Sequence, residues 1–193
     1  MKDTRVSSFF RPSLFFMAGL MLLSMNLLQP APAVAASAAE IARDSRQALQ
    51  ELETHTPKTR DLAAKATAIL VFPEIVKAGF LVGGQTGSGA LIKQGQIQAY
   101  YDITAVSFGL QAGAQTFGYA LFFMNDEALQ YLDKSDGWAI GAGPSVVVVD
   151  QAAAAGMTST TLTQDVYAVP FGQKGLMAGI GLEGSKITRI HPE

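Results

Sequence analysis

The residues beyond position 36 predict an α+β domain, predominantly antiparallel sheet with two or three flanking helices. Apolar residues recur at helical spacing only in a short lead-in, residues 37–66. From 67 to 191 the chain is rich in Val, Ile, Phe, Tyr and Gly, and its clearest pattern is an alternation of period two. Turn residues interrupt that pattern at short intervals, as in a sheet built from neighbouring strands rather than from crossover helices.

Ser37 and Glu40 have the spacing of a capping box and open a segment through Glu53 with Ile41, Ser45, Ala48, Leu49 and Leu52 along one side. This predicts an amphipathic helix. Its polar side sets Arg43 and Arg46 against Glu40, Asp44, Glu51 and Glu53, a balance that suits docking on the domain's own core better than anchoring on an anionic membrane. A second helix is predicted from Pro57, with Thr56 as its cap, to about Ala66.

Strands begin at the fully apolar Ala68–Phe72, ended by Pro73. Ala78–Val82 is expected to pair with Ala90–Ile92 across a hairpin loop, Gly83–Gly89, and Lys93–Gln96 turns the chain into Ile97–Ile103. Ser107, Gly109, Gln111, Gly113 and Gln115 then alternate with Phe108, Leu110, Ala112, Ala114 and Thr116. The glycines of this strand share one face, which fits a strong bend or a close packing neighbour. Phe117–Met124 reads as the next strand, and Asn125 or Asp126 caps a helix through Leu132. Further strands are predicted at Trp138–Gly143, Ser145–Val149, Leu162–Val169, Leu176–Leu182 and Ser185–Ile190, with Ala152–Ala155 ambiguous. The expectation is eight or more short strands.

Residues 1–36 have the layout of a cleavable signal peptide. Lys2, Arg5 and Arg11 precede an uncharged apolar run, Leu14–Leu28, which is shorter than the roughly 18–20 residues of a spanning helix and is followed by Ala31-Pro32-Ala33-Val34-Ala35-Ala36. The chain contains no cysteine, so a lipoprotein signal and disulfides are both excluded. The expected product is one domain, 37–193, exported and periplasmic or peripherally membrane-associated. Its core must hold it unaided, which its length allows. Removing 1–36 takes three of the fourteen basic residues and one of the sixteen acidic ones, leaving eleven against fifteen. A net negative domain without clustered Lys or Arg lacks the footprint for nucleic acid.

Catalytic chemistry is missing as well. In Gly83-Gly84-Gln85-Thr86-Gly87-Ser88-Gly89, Ala90 and Leu91 stand where a phosphate loop needs its Lys and its Ser or Thr, and Ile92 stands where a dinucleotide fingerprint needs a third glycine. The expected domain has only His55 and His191, and neither belongs to a nucleophile, zinc or elbow motif. Asp126 and Glu127 are explained by capping and the helix dipole. No enzyme, cofactor, catalytic residue or metal ligand is expected.

Ile69-Leu70-Val71-Phe72-Pro73-Glu74-Ile75-Val76-Lys77-Ala78-Gly79-Phe80, followed by Gly83-Gly84 and Gly87-Ser88-Gly89, resembles the opening of the SYLF domain, also called the Ysc84-type actin-binding or lipid-binding domain. The resemblance continues through Gly109–Gly113 and Phe117–Met124, and closes with Gly172-Gln173-Lys174-Gly175-Leu176-Met177-Ala178-Gly179-Ile180 and Leu182-Glu183-Gly184-Ser185. It covers about residues 60–190. Two segments depart from it: Tyr100-Tyr101-Asp102 where many members carry a Trp, and Val146–Val149 where they carry a glycine. The resemblance implies a non-enzymatic lipid-binding module, with anionic phospholipid or a membrane surface as partner. Lys77 and Lys174 match basic positions of the two best motifs and are the lipid-binding candidates, a compact ammonium being suited to phosphate. Actin, a partner of eukaryotic members, is not expected for an exported protein. The alternatives are a small outer-membrane β-barrel, or a structural periplasmic protein without a lipid ligand.

Overall fold

A computed structural model describes residues 36–134, 137–149, 162–175, 182 and 184–193, with the backbone alone over 107–112. The region 1–35, the ambiguous Ala152–Ala155 and most of the strand expected at Leu176–Leu182 lie outside the described residues. Residues 36–193 cluster as one compact unit.

Helix α1, Ala38–His55, begins in the predicted capping box: the Glu40 amide donates to Ser37 Oγ, and the Ser37 amide donates to Glu40 Oε2 at 2.9 Å. Its buried stripe is Ile41, Ala42, Ser45, Ala48 and Leu52, and Ser45 Oγ donates to the Val71 carbonyl at 3.1 Å. The helix therefore docks on the sheet, as its charge balance implied. Helix α2, Lys58–Lys65, starts at Pro57 without a side-chain cap. Thr56 closes α1 instead, its amide donating to the Leu52 carbonyl at 2.8 Å, while its own carbonyl accepts the Thr59 amide and hydroxyl.

The sheet corrects the strand boundaries over 68–123. In place of many short strands, β1 runs unbroken over Ala68–Lys93 and β2 over Gln96–Phe123, paired antiparallel from Ala68↔Phe123 to Lys93↔Gln96. Residues 83–89 are therefore strand, not a hairpin loop, and Ala78–Val82 pairs not with Ala90–Ile92 but in the register of Ala78↔Ala114 and Val82↔Phe108. The sequence breakers are absorbed as bulges. Pro73 falls inside the register shift between Phe72 and Ile75, where no ladder donor is required of it. The turn joining the two strands is the predicted one, with Gln94 at φ 51° and Gly95 at φ 74°.

Glycines 79, 87 and 89 serve a fold of β1 upon itself rather than a turn. A Cβ at Gly89 would overlap the Val71 carbonyl, one at Gly87 would lie 3.0 Å from Ile75 Cα, and one at Gly79 would lie 2.7 Å from the Val82 carbonyl. The ribbon is thus bent near Leu81, the second half of β1 lying across the first.

Helix α3, Asp126–Lys134, is capped by Asn125, whose Oδ1 accepts the Ala128 amide at 2.8 Å. Strand β3 is only Trp138–Ala139, because positive φ at Gly141 and Gly143 turns the chain away. The remaining strands are β4, Val146–Val148, β5, Val166–Gly175, and β6, Lys186–Ile190. Strand β5 starts later than predicted because the Thr163 and Gln164 amides bond to the Tyr167 hydroxyl instead of a ladder. Sheet order is β3-β6-β2-β5-β4 with β1 beside β2, all antiparallel except β4 on β5. The architecture is α+β and predominantly antiparallel, with three described helices.

Two apolar clusters lie on opposite faces of the ribbon. Leu70, Phe72, Tyr119, Leu121 and Phe123 join Tyr101, Ile187, Trp138 and the α3 residues Leu129 and Leu132. Ile69, Val71, Ala120 and Phe122 join Tyr167 and Val169 with Ala48, Leu52 and Leu62 of the first two helices. Burial on both faces is why Ala68–Phe72 and Ala120–Phe123 read as unbroken apolar runs instead of alternating ones.

Candidate functional site

The two lysines singled out by the sequence occupy one region of the ribbon but opposite faces. Lys77 pairs with Gln115, and Lys174 pairs with Thr116, the next residue along β2. Directly opposed residues share a face and successive ones do not. The row Val76–Thr116–Lys174 therefore points one way and Lys77–Gln115 the other. Exposure agrees: Val76 and Lys174 are exposed, whereas Lys77 is 9% exposed and Gln115 2%. Lys174 lies beside a depression of about 150 Å³ that also meets Glu51, Glu74 and Phe171. It can reach an external anion, with two carboxylates nearby to weaken the attraction. Lys77 is turned into the fold, and the two do not form a joint site.

A second feature lies four residues further along β1. Phe80, Leu81 and Val82 are 73%, 51% and 57% exposed, and Val106 is 66% exposed. Val82 pairs with Phe108 and Gly84 with Val106, which puts Val82 and Val106 on one face. Leu81 has φ 63°, a conformation that costs a non-glycine residue about 1 kcal/mol or more and that the register shift between Phe80 and Val82 imposes. No charged residue occurs from 78 to 92 or from 103 to 125. The sequence did carry a signal for this bend: the alternation of buried Ile75 and Lys77 with exposed Glu74 and Val76 stops at three consecutive large apolar residues between glycines.

Elsewhere the polar groups serve the fold. His55 Nδ1 lies 2.8 Å from the carbonyl of Glu51 in its own helix, and His191 lies exposed near the C-terminus. Ser88 donates to Asp102 at 2.6 Å, Gln85 to Ser185 at 2.9 Å, and the Tyr101 hydroxyl to Asp133 at 2.8 Å, with Arg189 3.7 Å from the same carboxylate oxygen. Burial, and then the bond to Asp133, push the Tyr101 hydroxyl well above the usual phenol range. A groove of about 610 Å³ between the first two helices and the β1–β2 turn has Leu49, Ile69 and Ile92 in its walls, with Lys93 and Asp126 3.8 Å apart at its edge. Among the described residues no three His, Asp or Glu side chains are grouped to hold a metal ion, and no helix is long and apolar enough to cross a membrane.

Residues 104–191, from within β2 to the end of the sheet, match the family Ysc84, described as Las17-binding protein actin regulator. That description is of binding, not of a reaction. The motif at 69–89 lies outside the matched stretch. No curated protein matches the chain.

Proposed function

We propose, for a chain that belongs to the SYLF (Ysc84-type) domain family, that it is a non-enzymatic module binding anionic phospholipid at a membrane surface of the bacterial envelope. The observation that carries this reading is the outward row Val76–Thr116–Lys174, which sets an exposed ammonium beside exposed apolar surface. That combination serves a phosphate headgroup and the adjoining apolar boundary together. Export rests on the basic, apolar and small-residue pattern of 1–36. The actin named in the family's description is left aside, since an exported protein meets no cytoskeleton. The barrel alternative has less support, because α1 covers a sheet face that a barrel would turn toward lipid.

Flotation with vesicles of phosphatidylcholine alone, and with added phosphatidylglycerol, tests the reading. Binding should favour the anionic vesicles and fall with salt. Lys174→Ala should weaken it about fivefold, the worth of one surface lysine at about 1 kcal/mol. Equal binding by wild type and variant, or no flotation at low salt, overturns the assignment.

A further inference from the structure

The apolar bend of the ribbon is unexplained by folding. Phe80, Leu81, Val82 and Val106 are all more than half exposed, and one of them holds a strained left-handed backbone to be so. Solvent exposure would favour polar residues here, and the positive φ would favour glycine or asparagine at Leu81.

From this we infer that the bend is a wedge that enters the acyl boundary of a lipid bilayer, taking apolar lipid chains as its ligand. The inference rests on the membrane-surface reading and deepens it by naming the inserting element. Three observations select lipid over a protein partner. Among the described residues the bend presents four large apolar side chains, on the order of a few hundred Å², short of the roughly 800 Å² per partner that a standard protein interface buries. Fluid acyl chains need no shape complementarity. The flanking segments, 78–92 and 103–125, carry no charge, so shallow insertion desolvates no ion. Finally, Lys174 stands on the row of Val76, four residues behind Phe80. At about 3.3 Å per residue it trails the tip by roughly 13 Å, the headgroup level when the tip lies about 5–10 Å deep.

The absence of native cysteine allows a single reporter. Phe80→Cys carries an NBD fluorophore at the bend, and Gln98→Cys, exposed near the β1–β2 turn, carries it at the far end of the ribbon. The protein is residues 36–193, the compact unit that holds both core clusters, with the full chain in parallel. With phosphatidylcholine–phosphatidylglycerol vesicles, the label at 80 should shift to the blue and be quenched by acyl-chain nitroxides, and the label at 98 should not. The unlabelled double variant Phe80→Ser, Val82→Ser should lower vesicle binding at least about tenfold, including at high salt. Both side chains are exposed, so a thermal melt should be unchanged. If wild type floats while the label at 80 stays in water, the wedge is wrong and the lipid reading stands. If wild type fails to float, both fall. If light scattering shows a wild-type dimer without vesicles that the serine variant abolishes, the tip is an interface between copies and the wedge is overturned.

Discussion

Gly89 lies directly against the carbonyl oxygen of Val71, and a methyl group on Gly89 would overlap it. The same oxygen accepts the hydroxyl of Ser45 from α1 at 3.1 Å, so one carbonyl joins the folded halves of β1 and the first helix. Gly89→Ala should therefore cost at least about 1–3 kcal/mol in chemical denaturation. Gly84→Ala should change stability by less than about 0.5 kcal/mol, because its Cβ would meet only the Ala105 carbonyl at 3.6 Å.

The Ser37–Glu40 box predicts a titratable helix start. The Ser37 backbone amide, and then its hydroxyl, hold the Glu40 carboxyl below its ordinary value of 4.5. A depressed carboxylate stabilises fully above the unfolded value, and the contribution is lost as pH falls through the folded one. Ser37→Ala should cost about 1 kcal/mol at neutral pH and less in acid, read from melts at pH 7 and pH 3.

Asp165 ties the α3 cap to β4. It accepts the Ser145 amide at 2.9 Å, the Ser145 hydroxyl at 2.8 Å and the Asn125 amide at 2.8 Å, and these bonds hold its carboxyl below the ordinary 3.8. The stabilisation is complete above that pH and lost on acidification below it. Asp165→Ala should cost about 1–2 kcal/mol at pH 7 and flatten the acid limb of a stability–pH curve.

Tyr119 and Tyr101 should respond oppositely to loss of the hydroxyl. Both are fully buried, but Tyr101 donates to Asp133, whereas the Tyr119 hydroxyl has no hydrogen-bond partner among the described residues. Tyr101→Phe should cost about 1–2 kcal/mol, and Tyr119→Phe should be neutral or stabilising by up to about 1 kcal/mol. Paired urea midpoints check the contrast.

Local features follow from residue order alone. The Ser37–Glu40 spacing, the apolar stripe of α1, the Gln94-Gly95 turn and the Asn125 cap each involve neighbours within one turn of chain, and each is present. The α+β class followed from the change of period near residue 67, and the resemblance to the SYLF domain from ordered motifs, with residues 104–191 matching that family. The roles of Pro73 and the glycines of 79–89 depend on long-range contacts. As local signals they end strands. In the folded protein Pro73 sits in a bulge and Gly87 and Gly89 admit another part of β1, a contact between residues distant along the strand that no local rule encodes. The same holds for the site. Lys77 and Lys174 match equivalent-looking basic positions, yet pairing through adjacent residues of β2 sends them to opposite faces, because the pleat reverses side-chain direction at every step. The exposed Phe80–Val82 tip arises the same way: its side chains resemble any buried strand in sequence, and only the bend leaves them outside the core.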